Sequence, residues 1–426
     1  MEWKAGSDMD LKGKKLLILG GGPDMVGVTK LAQSMGCEVH IIDYYDTLRS
    51  PAKLVADHSA NVNFFDTDAA VAYIREHSID GVMTGYTDSY LHQYLKVCKA
   101  AGLPHYGDET SFGIATDKML FKQACLKSGV GVIPGTNAYD FETVKQFSEE
   151  NGYPLMLKPV DNSGSRGVIK CESPEKLQEC YEYARSFSRT DNVIVERFMD
   201  CDSIGIVYQL AGEEPYLAAV CDRDIYQAKS DGSAIVSGTR YPSKYQQRYI
   251  AEADAAMRKM LKANGFRDGM VSPMAFVDDK GFYMCEMCYR PSGGHHFTLI
   301  EDQNGINGLA LLIEFAVTGK TESYDPTRET PNFKDCCGMI HIMGVPGKEI
   351  AHVSGIENIW AHENVLDVCQ ELFVGQTIGK DGTTAQELLS VWLKAPDWDA
   401  FALVVEEIKS MLEVYDSENN SLVLKS

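Results

Sequence analysis

The chain has 426 residues, 44% of them apolar, with a formal net charge of −21 and an isoelectric point near 4.9. That length exceeds what one hydrophobic core organises, so two or three domains are expected, and the acidic balance argues against nucleic acid or an anionic membrane as a partner. Twelve cysteines without regular spacing, a polar stretch from Met1 to Lys15, and apolar runs no longer than Leu309–Val317 argue against a disulfide framework and a membrane span; the expected location is cytoplasmic.

The run KKLLILGGG reads as a strand ending in glycines, VGVTKLAQSMG as a helix and CEVHIIDYY as a second strand. Helix and strand signals alternate again in AAVAYIREHSIDGVMTGYTD and LHQYLKVCKAAGLPHYG, which predicts an open parallel α/β domain over residues 1–113. Gly20, Gly21 and Gly22 are followed by Pro23 and Gly27, which is not GxGxxG. The turn and Asp43 are therefore read as an ordinary α/β connection in preference to a dinucleotide site.

From Asp117 the texture changes, with DKMLFKQACLKSGVGVIPGT reading as a helix and then a strand. The following segments, down to the hairpin around Asp278–Gly281, mix helices with antiparallel strands over residues 114–325. A lid subdomain is expected at about residues 135–200 of that unit. Several short strands and the amphipathic DAFALVVEEIKSMLEVY predict a C-terminal α+β subdomain over residues 326–426.

Two segments carry chemistry. Leu155 to Val168 is an apolar strand bearing Lys158, then Asp161, Asn162, Ser163, Gly164, Ser165, Arg166 and Gly167; small residues there leave backbone N–H groups free to converge on phosphate. The same composition suits a plain hairpin loop, and the GxxxxGK[ST] order is missing. In CEMCYRPSGG, strand alternation puts Glu286, Cys288 and Arg290 on one face and Cys285 opposite Cys288, a poor metal clip. Glu286 and Arg290 then suit metal–phosphate and anion roles, or a structural ion pair with each other.

In chain order, DKMLFK, GYPLMLKP, DNSGSRGV, VIVERF and FYMCEMCYRPSGG resemble the ATP-grasp superfamily, and EMxYRxSGG is similar to its carbamoyl-phosphate-synthase-like and carboxylate–amine ligase members. The resemblance implies ATP and Mg²⁺ as cofactors. Lys118 and Lys158 would contact the phosphates, Ser163, Gly164, Ser165 and Gly167 would form the lid, and Glu196, Arg197 and Phe198 would line the adenine pocket, with Asp202 nearest the ribose. Glu286 would hold metal. The sequence departs from the family where Met274 and Cys288 replace oxygen ligands, and Asp222 or Asp224 are candidate substitutes.

By the same resemblance Arg290 and Lys158 are the catalytic candidates, and Arg223, Lys244, Arg290, Ser292, Gly293 and Gly294 the substrate-binding ones; His295 and His296 are equally suited to packing. The implied reaction activates a small-molecule carboxylate as an acyl phosphate for attack by an amine, releasing ADP and phosphate. A bicarbonate-using carboxylase or carbamoyl-phosphate former, and a degenerate nucleotide-binding module, are the alternatives. Homodimers are common in the family.

Overall fold

The computed structural model describes residues 10–161, 167–227 and 234–424. The N-terminal segment forms a four-stranded parallel sheet in the order His58–Ala60, Glu38–Ile42, Lys15–Leu19, Gly81–Thr84, with helices Met25–Ser34, Thr67–His77 and Leu91–Ala101 between strands or following them. Its central strand is apolar and almost wholly buried, as a parallel sheet covered on both faces requires. Gly20, at φ +85°, turns the chain after that strand. Asp43 accepts from Gly21 N–H at 2.9 Å and Ser50 Oγ at 3.0 Å, so this carboxylate is engaged in tying the turn.

The largest sheet has eight antiparallel strands in the order Phe282–Cys288, Gly269–Val277, Asp202–Ala211, Glu214–Gln227, Ala234–Tyr241, Cys336–Met343, Glu387–Ala395, Val365–Gln370. The last three belong to the segment expected as a C-terminal subdomain, which thus extends the same sheet while adding its own apolar cluster under helix Trp398–Met411. A third, small sheet runs Gly135–Ala138, Val193–Arg197, Leu155–Pro159, Ile169–Cys171. Helices Phe141–Asn151 and Leu177–Ser186 cover it, and Val144, Leu155, Leu157, Leu177, Tyr181 and Val195 form its separate core.

Helix Gly308–Thr318 is the apolar run noted in the sequence, and it is buried all round from Gly308 to Val317, as a helix without a polar face must be. It lies between the N-terminal and the eight-stranded sheets. A Cβ on Gly81 would come within 1.9 Å of Ala316 O, and one on Gly308 within 2.5 Å of Met270 Sδ. Leu17, Val82, Ile206, Val271 and Leu312 consequently share one continuous core. No helix among the described residues is long and apolar enough to cross a membrane.

Candidate functional site

The junction of the small sheet with the eight-stranded sheet gathers charged groups. Glu196, 2% exposed, accepts from Lys158 Nζ at 2.5 Å through one carboxylate oxygen and from Lys122 Nζ through the other. Lys122 also donates to Ile133 O at 2.9 Å. Burial opposes the charge on Lys158, but the Glu196 carboxylate outweighs it and raises its pKa; burial pushes Lys122 down despite the same partner. Burial would likewise raise Glu196, and the two lysines instead hold it below the usual carboxylate range. Only glycine fits at position 135, where a Cβ would stand 2.6 Å from Glu196 Cγ. Lys118 opens helix Lys118–Lys127 one turn before Lys122, half-exposed and without a hydrogen-bond or ion-pair partner among the described residues.

Beside this triad Ile133, Met199 and Cys285 form a small apolar cluster with Cys201, Met274, Phe276 and Tyr283 packed on it. Met199 enters it from just beyond strand Val193–Arg197. Arg197 is exposed, and the Phe198 ring lies under Lys170 Nζ at 4.4 Å.

Four residues stand in register across four strands of the large sheet: Cys221, Gly205, Met274 and Glu286. Partners in register share a face, so Met274 sits directly against Glu286, where a second carboxylate was expected. Glu286 is half-buried and makes no hydrogen bond or ion pair among the described residues. Arg223 shares that face; it donates to Ser203 Oγ at 3.0 Å and has no acidic partner among the described residues. The expected opposition of Cys285 and Cys288 does not hold. A bulge leaves Cys285 without a cross-strand partner, and it packs with Met274 and Phe276 on the Glu286 side. Burial pushes the Cys285 thiol up to about 12 and raises Cys288 as well, which disfavours the thiolate form that a metal or a redox pair needs.

Arg290 does not pair with Glu286. Its Nε and Nη2 each donate at 2.7 Å to Asp88 of the N-terminal segment, and Nη1 reaches Pro291 O at 3.0 Å. Ser292, Gly293 and Gly294 form the turn into helix His296–Asn304. Trp392 Nε1 donates to Gly294 O at 2.8 Å, and a Cβ on Gly294 would crowd the His296 ring. His296 spans Tyr241 OH (2.5 Å) and Ser292 Oγ (3.2 Å); burial, with His295 and Arg223 nearby, pushes it down to about 4. His295 stacks on Trp392 at 5.0 Å, so both histidines pack.

Several candidates are turned away from this face. Asp202 pairs with Lys244 Nζ and accepts from Tyr245 OH, both at 2.6 Å, on the side opposite Ser203. Asp222 accepts from Ser243 Oγ at 2.6 Å, and Asp224 is forked by Arg240; both alternate with Arg223 to the far face, so neither supplies the missing metal ligand. Ser163, Gly164 and Ser165 lie outside the described residues. Gly167, at φ +78°, is a position that favours glycine, with a would-be Cβ 2.5 Å from Phe187 Cβ.

The face that carries Glu286 and Arg223 continues through Thr239, Met339, Trp392 and Asp367, in register. There His341 Nδ1 meets Ser390 Oγ at 2.8 Å and Glu387 Oε2 at 3.3 Å, while Ser390 Oγ donates to Glu371 at 3.0 Å. Burial, with Glu371 nearby, pushes Glu387 up to about 8, and burial alone pushes Asp367 to about 6. No lysine or arginine among the described residues pairs with Asp367, Glu371 or Glu387.

A family model described as "D-ala D-ala ligase C-terminus" matches residues 132–294, the stretch that holds Lys158, Glu196, Met199 and the Glu286 strand. An L-amino acid ligase from Bacillus licheniformis superimposes with a TM-score of 0.79 at 16% identity, covering 95% of this chain and 99% of that one. The chain has the ATP-grasp fold. Among curated relatives, a formate-dependent phosphoribosylglycinamide formyltransferase from Corynebacterium efficiens is 26% identical over 304 residues, covering 68% of this chain and 72% of the relative. A Bacillus subtilis pyruvate carboxylase is 27% identical over 245 residues, covering 55% of this ATP-grasp chain and only 21% of that protein.

Proposed function

We propose that this ATP-grasp protein is an ATP-dependent ligase that activates a small-molecule carboxylate as an acyl phosphate and passes the acyl group to an amine. The observation that carries the reading is that Glu286 and Arg223, each without an oppositely charged partner among the described residues, share one face beside the Lys122–Glu196–Lys158 triad and an apolar cluster. The cluster suits an adenine ring. The lysines suit its phosphates, with Glu196 holding both ammonium groups in place before ligand arrives.

The donor set fits one Mg²⁺, because a half-buried carboxylate without a protein partner is what an ion completed by phosphate oxygens and water requires. Glu286 would hold it, with Met274 contributing no hard ligand; when bound, the ion supplies charge neutralisation between the phosphate oxygens. Arg223 and Lys158 would neutralise charge building on the transferred phosphoryl group, and Arg290, braced by Asp88, would orient the carboxylate. The amine would enter from the Asp367–Glu371–Glu387 end, whose carboxyl groups, raised by burial and without a lysine or arginine partner among the described residues, would ionise against an ammonium group.

ADP release over a matrix of carboxylates and amines tests the reading: release that needs one of each supports it, and none with any pair sinks it. A bicarbonate-using reaction is the second reading, favoured by the carboxylase relatives. Bicarbonate-dependent release without an added carboxylate would identify it.

A further inference from the structure

Away from that face, the edge of the N-terminal sheet brings three metal-binding side chains together. Glu38 and His40 lie two residues apart on one strand and so share a face. His58, on the edge strand, is the direct cross-strand partner of His40. Glu38 Oε1 stands 3.0 Å from His40 Nε2 and 3.2 Å from His58 Nε2, and all three ligand atoms lie within 4.8 Å of one another. Tetrahedral zinc with bonds of about 2.0–2.1 Å separates its ligand atoms by about 3.3 Å. The two observed spacings match that edge length.

The surroundings are also those of a ligand set. His40 is 1% exposed, and its other nitrogen, Nδ1, meets Tyr73 OH at 3.1 Å, the outer contact that fixes a ligating imidazole with Nε2 turned to the metal. The His40 ring stacks on His58 at 4.5 Å and tilts against His77 at 5.3 Å, so its orientation is set by packing. His58 is exposed, which leaves an entry path and room for a water as fourth ligand. Lys15 Nζ lies 3.5 Å from the same Glu38 oxygen, where an ammonium stands in for a cation, and it has a second anchor in His77 O at 3.2 Å.

We propose that Glu38, His40 and His58 form a binding site for one divalent transition-metal ion that fastens the edge strand His58–Ala60 to the N-terminal sheet. Two imidazoles and a carboxylate select zinc-like ions over magnesium or calcium, which take oxygen donors. The site stands apart from the ligase reading and would survive its failure.

The test uses the full chain, stripped with chelator and titrated with Zn²⁺ by calorimetry and with Co²⁺ by visible absorption. Expected are one site per chain, a four-coordinate Co²⁺ spectrum without the near-ultraviolet thiolate band, and a higher thermal midpoint with Zn²⁺. His58→Ala, at an exposed position, and Glu38→Gln should each weaken binding by more than the roughly tenfold that loss of an outer contact costs. Lys15→Met should tighten it by removing the competing ammonium. No saturable binding, a thiolate band, or affinity unchanged in both His58→Ala and Glu38→Gln would overturn the assignment.

Discussion

Replacing Glu196 by glutamine should uncouple the small sheet from the rest of the site. The side chains of Glu196, Lys122 and Lys158 are 2%, 3% and 14% exposed, so solvent screens little of their interaction. Glu196→Gln leaves two buried ammonium groups facing an amide, and removing one partner of a buried ion pair costs about 3–5 kcal/mol. Adding Lys122→Met removes one stranded cation and should restore about 1 kcal/mol or more, within the coupling range for residues of one network. The carboxyl of Glu196 is held below its ordinary range, so its contribution is complete above the unfolded-state value of about 4.3 and is lost as pH falls through the lower folded value. Variant and wild type should therefore converge at strongly acidic pH. Native-state hydrogen exchange over Leu155–Pro159 and Val193–Arg197 reads the local opening energy directly. A Glu196→Gln chain that exchanges as slowly as wild type at pH 7, or a double variant as unstable as the sum of the singles, would refute the account.

Met274→Glu sets a second carboxylate against Glu286, so half-maximal ADP release should need less Mg²⁺ while the metal-free thermal midpoint drops through like-charge repulsion; an unmoved Mg²⁺ dependence would speak against Glu286 as the ligand. Glu387 stays protonated in the folded chain up to about pH 8, whereas the unfolded chain releases that proton above about 4.3. Stability from this group therefore falls as pH rises across that window, and Glu387→Gln should flatten the dependence, which midpoints from pH 5 to 9 would check. Asp88→Asn frees the Arg290 fork; because Asp88 is 41% exposed the stability loss should be only about 1 kcal/mol, with turnover falling more than the KM for ATP rises. Denaturant midpoints and steady-state ADP release would separate those two effects.

Much of this was legible from local pattern. The parallel opening follows from apolar runs broken by glycines, and period-two alternation placed Glu286 on a strand, although that strand ends at Cys288, short of Arg290. What local pattern could not carry was the partner of each charge. Lys122 looked like one more cation on a helix, although its place one turn after Lys118 was a usable signal. Asp88 meets Arg290 across 202 residues, and Asp367, Glu371 and Glu387 converge through cross-strand register that depends on how distant strands add to the sheet. Asp202 faces away from Ser203 by a single residue of strand phase, and its ion pair with Lys244, in the turn after strand Ala234–Tyr241, was not readable from spacing. The bulge at Cys285 similarly broke an alternation that the sequence alone made look regular.

Helix Gly308–Thr318 limits how this molecule can breathe. Its side chains are common property of the N-terminal and the eight-stranded sheets, so sliding one against the other would wet leucines and isoleucines that no solvent touches at rest. The small sheet has no such obligation, since its interior closes on itself. A shift of the small sheet would thus leave its own leucines and valines dry, while the two larger sheets behave as one anvil.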